Sequence, residues 1–241
     1  MAIERQIEVS GISVEVIRKD IKNLHLAVYP PNGRVRVAVP LRTRDETVRL
    51  AVISRLGWIR RQQRRLAQQQ RQSQREMVTG ESHYVLGQRY RLHVIEQEAP
   101  PAVVIRNSRT LELRVRPNAD RDKREQVLQR WHRQLLREQI PALLAKWEPI
   151  IGVNVAAYGI KRMKTRWGTC NIEARRIWLN LELAKKPPVC LEYILVHEMV
   201  HLLERRHNDR FRKYMDAVLP QWRLHRDLLN RAPLAHEDWK Y

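Results

Sequence analysis

The stretch from Tyr193 to Leu203 constrains this chain more than any other. Take away His197, Glu198 and His201 and every residue left in it is apolar. A helix that is apolar on all sides belongs in a core. Imidazoles and a carboxylate are costly there unless they are paired or bound to a metal. Three such groups within five consecutive positions need an account beyond packing.

Metal binding supplies one. Positions 197 and 201 are one helical turn apart, so both rings reach a single ion from one face. Glu198 lies about 100° further round, near the ion but badly aimed as a ligand. It is better placed to take a proton from metal-bound water, the logic of a His-Glu-x-x-His helix. The alternative is a pair of core histidines satisfied by backbone groups. Catalytic zinc usually keeps three protein ligands and one open position, and His207 is the nearest third candidate. The helix is expected to end near Glu204-Arg205-Arg206, where cations suit the negative end of its dipole. Asn208 or Asp209 then caps the next helix. His207 falls in the turn between, able to fold back to the ion or to stand exposed as an ordinary turn histidine. Cys170 and Cys190 match no zinc-ribbon spacing and read as small core residues.

The remaining pattern predicts a mixed α+β chain. Alternation over Ile3–Val9, Ile12–Val16, His25–Tyr29 and Val35–Val39, with turns at Gly11 and Pro30-Pro31-Asn32-Gly33, reads as strands. A long helix is expected from about Thr43 to about Met77, apolar at Val48, Val52, Leu56 and Ile59 and basic in its second half. Strands return at Tyr84–Val94, Val103–Ile105 and Leu111–Val115. From Asp120 apolar residues recur at helical spacing, with Pro141 expected to kink or restart the helix. Val153–Lys164 and Arg176–Leu181 read as strands on either side of Trp167-Gly168-Thr169-Cys170, and Pro188 or Val189 opens the next helix. Further helices are expected over Asp209–Leu219 and Gln221–Asn230. The domain boundary is placed near Pro117-Asn118, giving a β-rich N-terminal domain over 1–117 with the long helix, and a catalytic domain over 118–241. The sequence shows no internal repeat.

Charge bears on partners rather than chemistry. Lys and Arg total 46 against 26 acids, a formal net charge of +20. Such a field attracts nucleic acid, nucleotides or acidic proteins, unless it is simply a solvated arginine-rich surface. No apolar run is long enough for a membrane span. The first residues lack the apolar stretch of a secretory signal, and two cysteines are too few for a disulfide framework. A cytoplasmic setting is the expectation.

His197-Glu198-Met199-Val200-His201 followed by His207-Asn208-Asp209-Arg210-Phe211 resembles the YgjP-like metallopeptidases, relatives of the SprT-like and WLM proteases. That family places its third metal-binding histidine six residues after the second, then a small polar residue and an aromatic, which matches His207, Asn208 and Phe211. Lys164-Thr165-Arg166-Trp167-Gly168-Thr169-Cys170 is similar to the family's Arg-Trp-Gly-Ser-Cys stretch, with Thr169 in place of Ser. Ile177-Trp178-Leu179-Asn180 matches its strand ending in Leu-Asn. The similarity is strong over about 118–231 and looser before it. It implies a zincin-like α+β catalytic domain, with the active-site helix under a sheet beside a substrate groove, and a single zinc ion on His197, His201 and His207.

The function expected is therefore hydrolysis of peptide bonds in a peptide or protein substrate, with Glu198 as general base and Arg166, Tyr214 and His225 as candidate donors to the oxyanion. Two rivals stand beside it. One is a metal-dependent nucleotide (phosphoanhydride) hydrolase, favoured by the charge but not by an all-imidazole site, since phosphoryl-transfer sites recruit carboxylates and magnesium. The other is a DNA-associated protein whose zinc is structural, although structural sites are normally closed by four ligands.

Overall fold

The computed structural model describes residues 3–29, 32–68, 75–163 and 166–231. It separates into two compact units, one running to Gln74 and the other from Arg75 to Ala232. The α+β class holds, with three sheets and six α-helices among the described residues.

In the first unit, β1 (Ile3–Val9) and β2 (Ile12–Lys19) form a hairpin, β3 (His25–Tyr29) pairs with β4 (Arg34–Pro40), and β4 lies parallel to β2. The order is β1-β2-β4-β3. The β1–β2 turn needs left-handed backbone at both Ser10 (φ 51°) and Gly11 (φ 74°), the twist-matched geometry of a two-residue hairpin. Alternate valines of β2 and β4 are fully buried and meet Val48 and Val52 of α1 (Asp45–Ile53) and Ile59 of α2 (Leu56–Gln68). The expected long helix is thus two helices. Ser54 and Arg55 part them, where Arg55 N–H bonds the Val52 carbonyl three residues back and the Ser54 hydroxyl donates to the Ala51 carbonyl. These local bonds satisfy α1's last carbonyls, so its ladder stops there. Residues 69–74 of the expected helix and the Pro30-Pro31 turn lie outside the described residues, and Met77 adopts φ 59° outside any helix.

The second unit opens with the same topology. β5 (Ser82–Val85) and β6 (Gln88–Glu96) form a hairpin over Leu86 and Gly87, β7 (Ala102–Ile105) pairs with β8 (Thr110–Val115), β8 is parallel to β6, and the order is β5-β6-β8-β7. Leu86 (φ 49°) and Gly87 (φ 84°) repeat the left-handed pair. The repeat escaped the sequence because it is a repeat of register and turn geometry, which many side chains satisfy.

The helix α3 (Arg121–Ile151) joins this sheet to the half that carries the histidine helix. Asp120 caps it, accepting from Lys123 N–H at 2.8 Å, and Gly152 ends it at φ 75°. Leu128 packs on the second sheet, while Leu136, Ile140, Trp147 and Ile151 belong to the core around the histidine helix. The boundary expected near Pro117-Asn118 therefore falls inside the second unit, because the second sheet has no cover of its own except the start of α3. Nor does Pro141 break α3. It removes one N–H donor, and burial of Ile140 before it and Trp147 after it holds the helix together.

The third sheet is small, in the order β10-β11-β9. Its members are β9 (Ala157–Lys161), shorter than the strand expected over 153–164, β10 (Gly168–Asn171) and β11 (Arg176–Asn180). The Trp167–Cys170 stretch, expected between strands, supplies an edge strand of its own. A 3-10 turn over Leu181–Lys185 then leads into α4 (Pro188–Val200), and α5 (Asp209–Val218) and α6 (Trp222–Arg231) complete the chain. The tip of the β5–β6 hairpin anchors this turn. Leu86 and Gly87 N–H bond the carbonyls of Ala184 and Lys185, and a Cβ on Gly87 would stand 2.7 Å from the Pro187 ring. No described helix is long and apolar enough to cross a membrane.

Under this anchor lies a buried polar cluster. Lys185 Nζ donates to both carboxylate oxygens of Glu182, at 2.9 and 2.8 Å. His132 of α3 is fully buried beside them and its Nε2 has no hydrogen-bond partner. Burial, helped by the nearby Lys185 ammonium, depresses the His132 pKa from 6.5 to about 3. The unfolded chain binds this proton below pH 6.5 and the folded chain does not, so stability falls on acidification, at up to about 1.4 kcal/mol per pH unit. His83, His197 and His201 are shifted in the same direction. Urea midpoints at pH 6.5 and pH 5 are expected to fall further for the parent chain than for His132→Leu, by about 1–2 kcal/mol. Equal losses in the two proteins would remove His132 from this account.

Candidate metal centre

The histidine helix is α4. Pro188 sits in its first turn, where a missing N–H costs nothing. From Cys190 to Val200 nearly every side chain is buried. The helix ends at His201, earlier than the expected Glu204–Arg206. Leu202 and Leu203 N–H bond the carbonyls of Met199 and Val200 three residues back, and Glu204 N–H also reaches Val200. This tightening turns the chain so that residues 205–207 double back. Asn208 caps α5 as expected, its side chain accepting from Phe211 N–H at 3.0 Å.

His197, His201 and His207 meet at that turn. Their ring centroids lie 4.7–4.9 Å apart, and one ligand nitrogen from each falls within 4.8 Å of the others. His207 Nε2 and His197 Nε2 face each other at 2.9 Å. His201 Nδ1 donates to the Glu204 carbonyl oxygen at 3.1 Å. A carbonyl can only accept, so this bond fixes the tautomer and leaves Nε2 with a free lone pair. Phe211, the chain's sole phenylalanine, packs against all three rings at 4.8–4.9 Å.

Burial disfavours the charged form of two of the rings, His197 and His201. Burial, then the neighbouring His201 and His207, lowers the His197 pKa to about 3. Burial also lowers His201, against the pull of the Glu204 carbonyl. The His197 Nδ1 atom is buried without a partner. Three convergent imidazoles, two of them disfavoured as cations by burial, make a good ligand set for a borderline-soft cation. The site fits one metal ion.

Glu198 points into the same groove, a cavity of about 600 Å³ whose lining includes Arg166–Cys170, Tyr193, the three histidines and Arg205. Its carboxyl is 6% exposed. Burial pushes the pKa up to about 8, with the Arg166 guanidinium pulling the other way. Gly168 lies so close that a Cβ there would stand 2.6 Å from Glu198 Oε1 and 2.9 Å from Ile194 Cγ2. No larger residue fits at position 168 unless the carboxylate moves, so this glycine helps set where it points.

Of the three donors named from sequence, only Arg166 lines the groove. The Tyr214 hydroxyl accepts from Arg210 at 3.2–3.3 Å, and neither Tyr214 nor His225 reaches either cavity beside the histidines. Tyr193 had been read only as part of the apolar helix, yet it lines the groove edge-on to His197 at 5.9 Å and stacked on Trp222 at 6.3 Å. Burial, aided by Glu198 and opposed by Arg226, raises its phenol to about 12, so it remains a donor. Its position four residues before His197, on the same helix face, was the available signal. Cys190 is buried as expected, whereas Cys170 lines the groove. Lys164 and Thr165 of the motif lie outside the described residues.

Asn180 ties the groove's rim to the sheet. Its side-chain NH₂ donates to the carbonyls of Met163 at 2.7 Å and Arg166 at 2.8 Å, and its Oδ1 accepts from Met163 and Glu182 N–H. It is 4% exposed. A buried amide with its polar atoms used in this way fixes the backbone on both sides of it.

No curated protein matches the chain. A crystal structure of a metallopeptidase zymogen, abylysin from Pyrococcus abyssi, is 21% identical over 37% of this chain and 90% of its own, with a TM-score of 0.35. The profile of the YgjP-like metallopeptidase domain matches residues 22–232. With the match reaching from the first unit through the histidine turn and α5, the chain belongs to the YgjP-like metallopeptidase family.

Proposed function

We propose that the chain is a zinc-dependent peptidase with a zincin-like site, in which His197, His201 and His207 hold one ion and Glu198 is the general base. The observation that carries this reading is the convergence of three imidazoles and one carboxyl group on a single groove. Zinc bound there supplies a Lewis acid that polarises a carbonyl and acidifies water. Glu198 accepts the proton of the attacking water and passes it to the leaving amine. The ion's positive charge favours its carboxylate form, against the burial that raises its pKa. Arg166, which lines the groove, donates to the developing oxyanion, and the protonated Tyr193 offers a second donor. Among the described residues β10 is paired only with β11, which leaves its other edge to offer N–H and C=O groups to an extended peptide.

Nucleotide hydrolysis is less well supported, since Glu198 is the sole carboxylate lining the histidine groove among the described residues. Side-by-side assays of the zinc-loaded chain on peptides and nucleoside triphosphates separate the two. Glu198→Gln is expected to retain zinc and to lose about 10²–10⁴-fold in turnover; full activity in the metal-loaded variant would remove Glu198 from its role. The parent chain is expected to bind one zinc per molecule by metal analysis. His207→Ala, at an exposed position, should fold normally yet bind zinc at least about tenfold more weakly in a chelator titration. Unchanged affinity would break the triad.

One observation favours nucleic acid as a partner in addition. Between Glu46 and Glu76 the sequence has eight arginines and no acid. Arg60, Arg61 and Arg64 of α2 are exposed without an ion pair among the described residues, and Trp58 nearby is 38% exposed. Cations beside an exposed indole suit a polyanion with stackable bases. Binding to a DNA duplex followed by anisotropy should weaken steeply with salt, and the triple Glu variant at 60, 61 and 64 should reduce the log–log slope by about two to three. A flat salt response of the parent chain would dismiss this partner.

A further inference from the structure

The groove over the histidines does not close at the metal centre. A second cavity of about 620 Å³ adjoins it, lined by Asn171, Glu173, Leu202 and Leu203. Cys170, Ile172, His201 and Arg205 line both. β10 runs the length of the pair. Gly168 and Thr169 face the first cavity only, Cys170 lines both, and Asn171 lines the second only. The strand edge, unpaired among the described residues, therefore continues past the histidines with open space on either side of them. An exopeptidase needs a wall that stops the chain near the metal, and this cleft has none among the described residues.

The second cavity has a distinct character. Ile172 and Leu203 are large apolar side chains that remain 36% and 37% exposed at its mouth. Arg205 stands where the cavities join, exposed and without an ion pair among the described residues. An unpaired guanidinium next to two uncovered aliphatic residues matches a carboxylate next to an aliphatic side chain. That carboxylate has two possible sources, an Asp or Glu side chain inside a peptide or a free chain terminus. Space beyond Arg205, between Asn171–Glu173 and Leu202–Leu203, lets the chain run on.

We propose that this cleft binds an extended, internal peptide segment carrying an acidic residue at Arg205 and an aliphatic residue between Ile172 and Leu203, so that the chain cleaves within polypeptides rather than at their ends. The proposal rests on the peptidase reading above and assigns its substrate class. Arg205 and Leu203 act in specificity and touch none of the proposed ligands' chemistry.

The test uses the full-length, zinc-loaded Glu198→Gln chain, which should bind without turning over. Fluorescein-labelled decapeptides blocked at both ends, with Glu-Leu, Lys-Leu or Glu-Ala at the centre, are titrated by anisotropy. Glu-Leu is expected to bind about fivefold tighter than Lys-Leu, and adding Arg205→Glu should invert that ranking. Adding Leu203→Asp, at an exposed position, should erase the preference for Glu-Leu over Glu-Ala. An unchanged ranking in the Arg205→Glu chain would overturn the proposal. So would binding confined to peptides with a free C-terminus, which would mean that Arg205 grips a chain end. Mass-spectrometric mapping of the same peptides with the catalytically intact chain separates the two levels. Ranked binding without cleavage sinks the peptidase reading and leaves the cleft's specificity standing. Cleavage with no dependence on Arg205 does the reverse.

Discussion

Putting three histidines and a glutamate beside an otherwise apolar helix is a standing electrostatic debt that the rest of the second unit is arranged to settle. Buried imidazole disfavours its proton and buried carboxylate disfavours its charge, so burial lowers the His197 and His201 pKa values and pushes the Glu198 carboxyl up to about 8. A metal ion reverses that situation, because neutral imidazoles become ligands and the carboxylate gains a positive neighbour. The hydrogen bond from His201 Nδ1 to the Glu204 carbonyl and the packing of Phe211 against all three rings prepare the set before any ion binds. Preparation of that kind lowers the ordering cost that binding would otherwise meet.

The scaffold serves the same end through one long helix. α3 covers the second sheet with its first half and the catalytic core with its second, so sheet and metal centre form one cooperative body. Where the β5–β6 tip meets the turn before α4, Gly87 lies against Pro187 and the Leu86 and Gly87 amides hold the carbonyls of that turn. The start of the histidine helix is therefore fixed by a hairpin a hundred residues away in sequence. The first unit has the same strand order and the same left-handed hairpin pair but carries a basic helix face instead of a metal centre. One topology presents two different surfaces, which is why its function has to be read from the side chains displayed on it.

Much of the site was legible because helical spacing is a local property. His197, Glu198 and His201 follow from period alone, and Asn208 as a cap fixed the start of α5. The donors were less legible. Arg166, Tyr214 and His225 were equally plausible from sequence, and only the tertiary path of the chain brought Arg166 into the groove and left the other two outside it. Tyr193 and Cys170 went the other way, their apolar neighbours disguising residues that face the cavity. The boundary expected near 117–118 falls inside the second compact unit for a related reason. Proline and asparagine at 117–118 mark a turn, but whether a turn separates domains depends on which surfaces are covered across it, and the beginning of α3 covers the sheet before it.

The sequence by itself determined the groups available: two histidines and a glutamate at helical spacing, a third histidine after a turn, and strands in alternating valine runs. Those follow from bonding patterns that span only a few residues. Tertiary structure alone decided that His207 folds back to the pair, that Gly168 presses against Glu198, and that the cleft continues beyond the histidines toward Ile172 and Leu203. Each of these is a meeting of segments distant in the chain, or the shape of the space between them. Such meetings are fixed by how whole surfaces pack, and no local pattern encodes them.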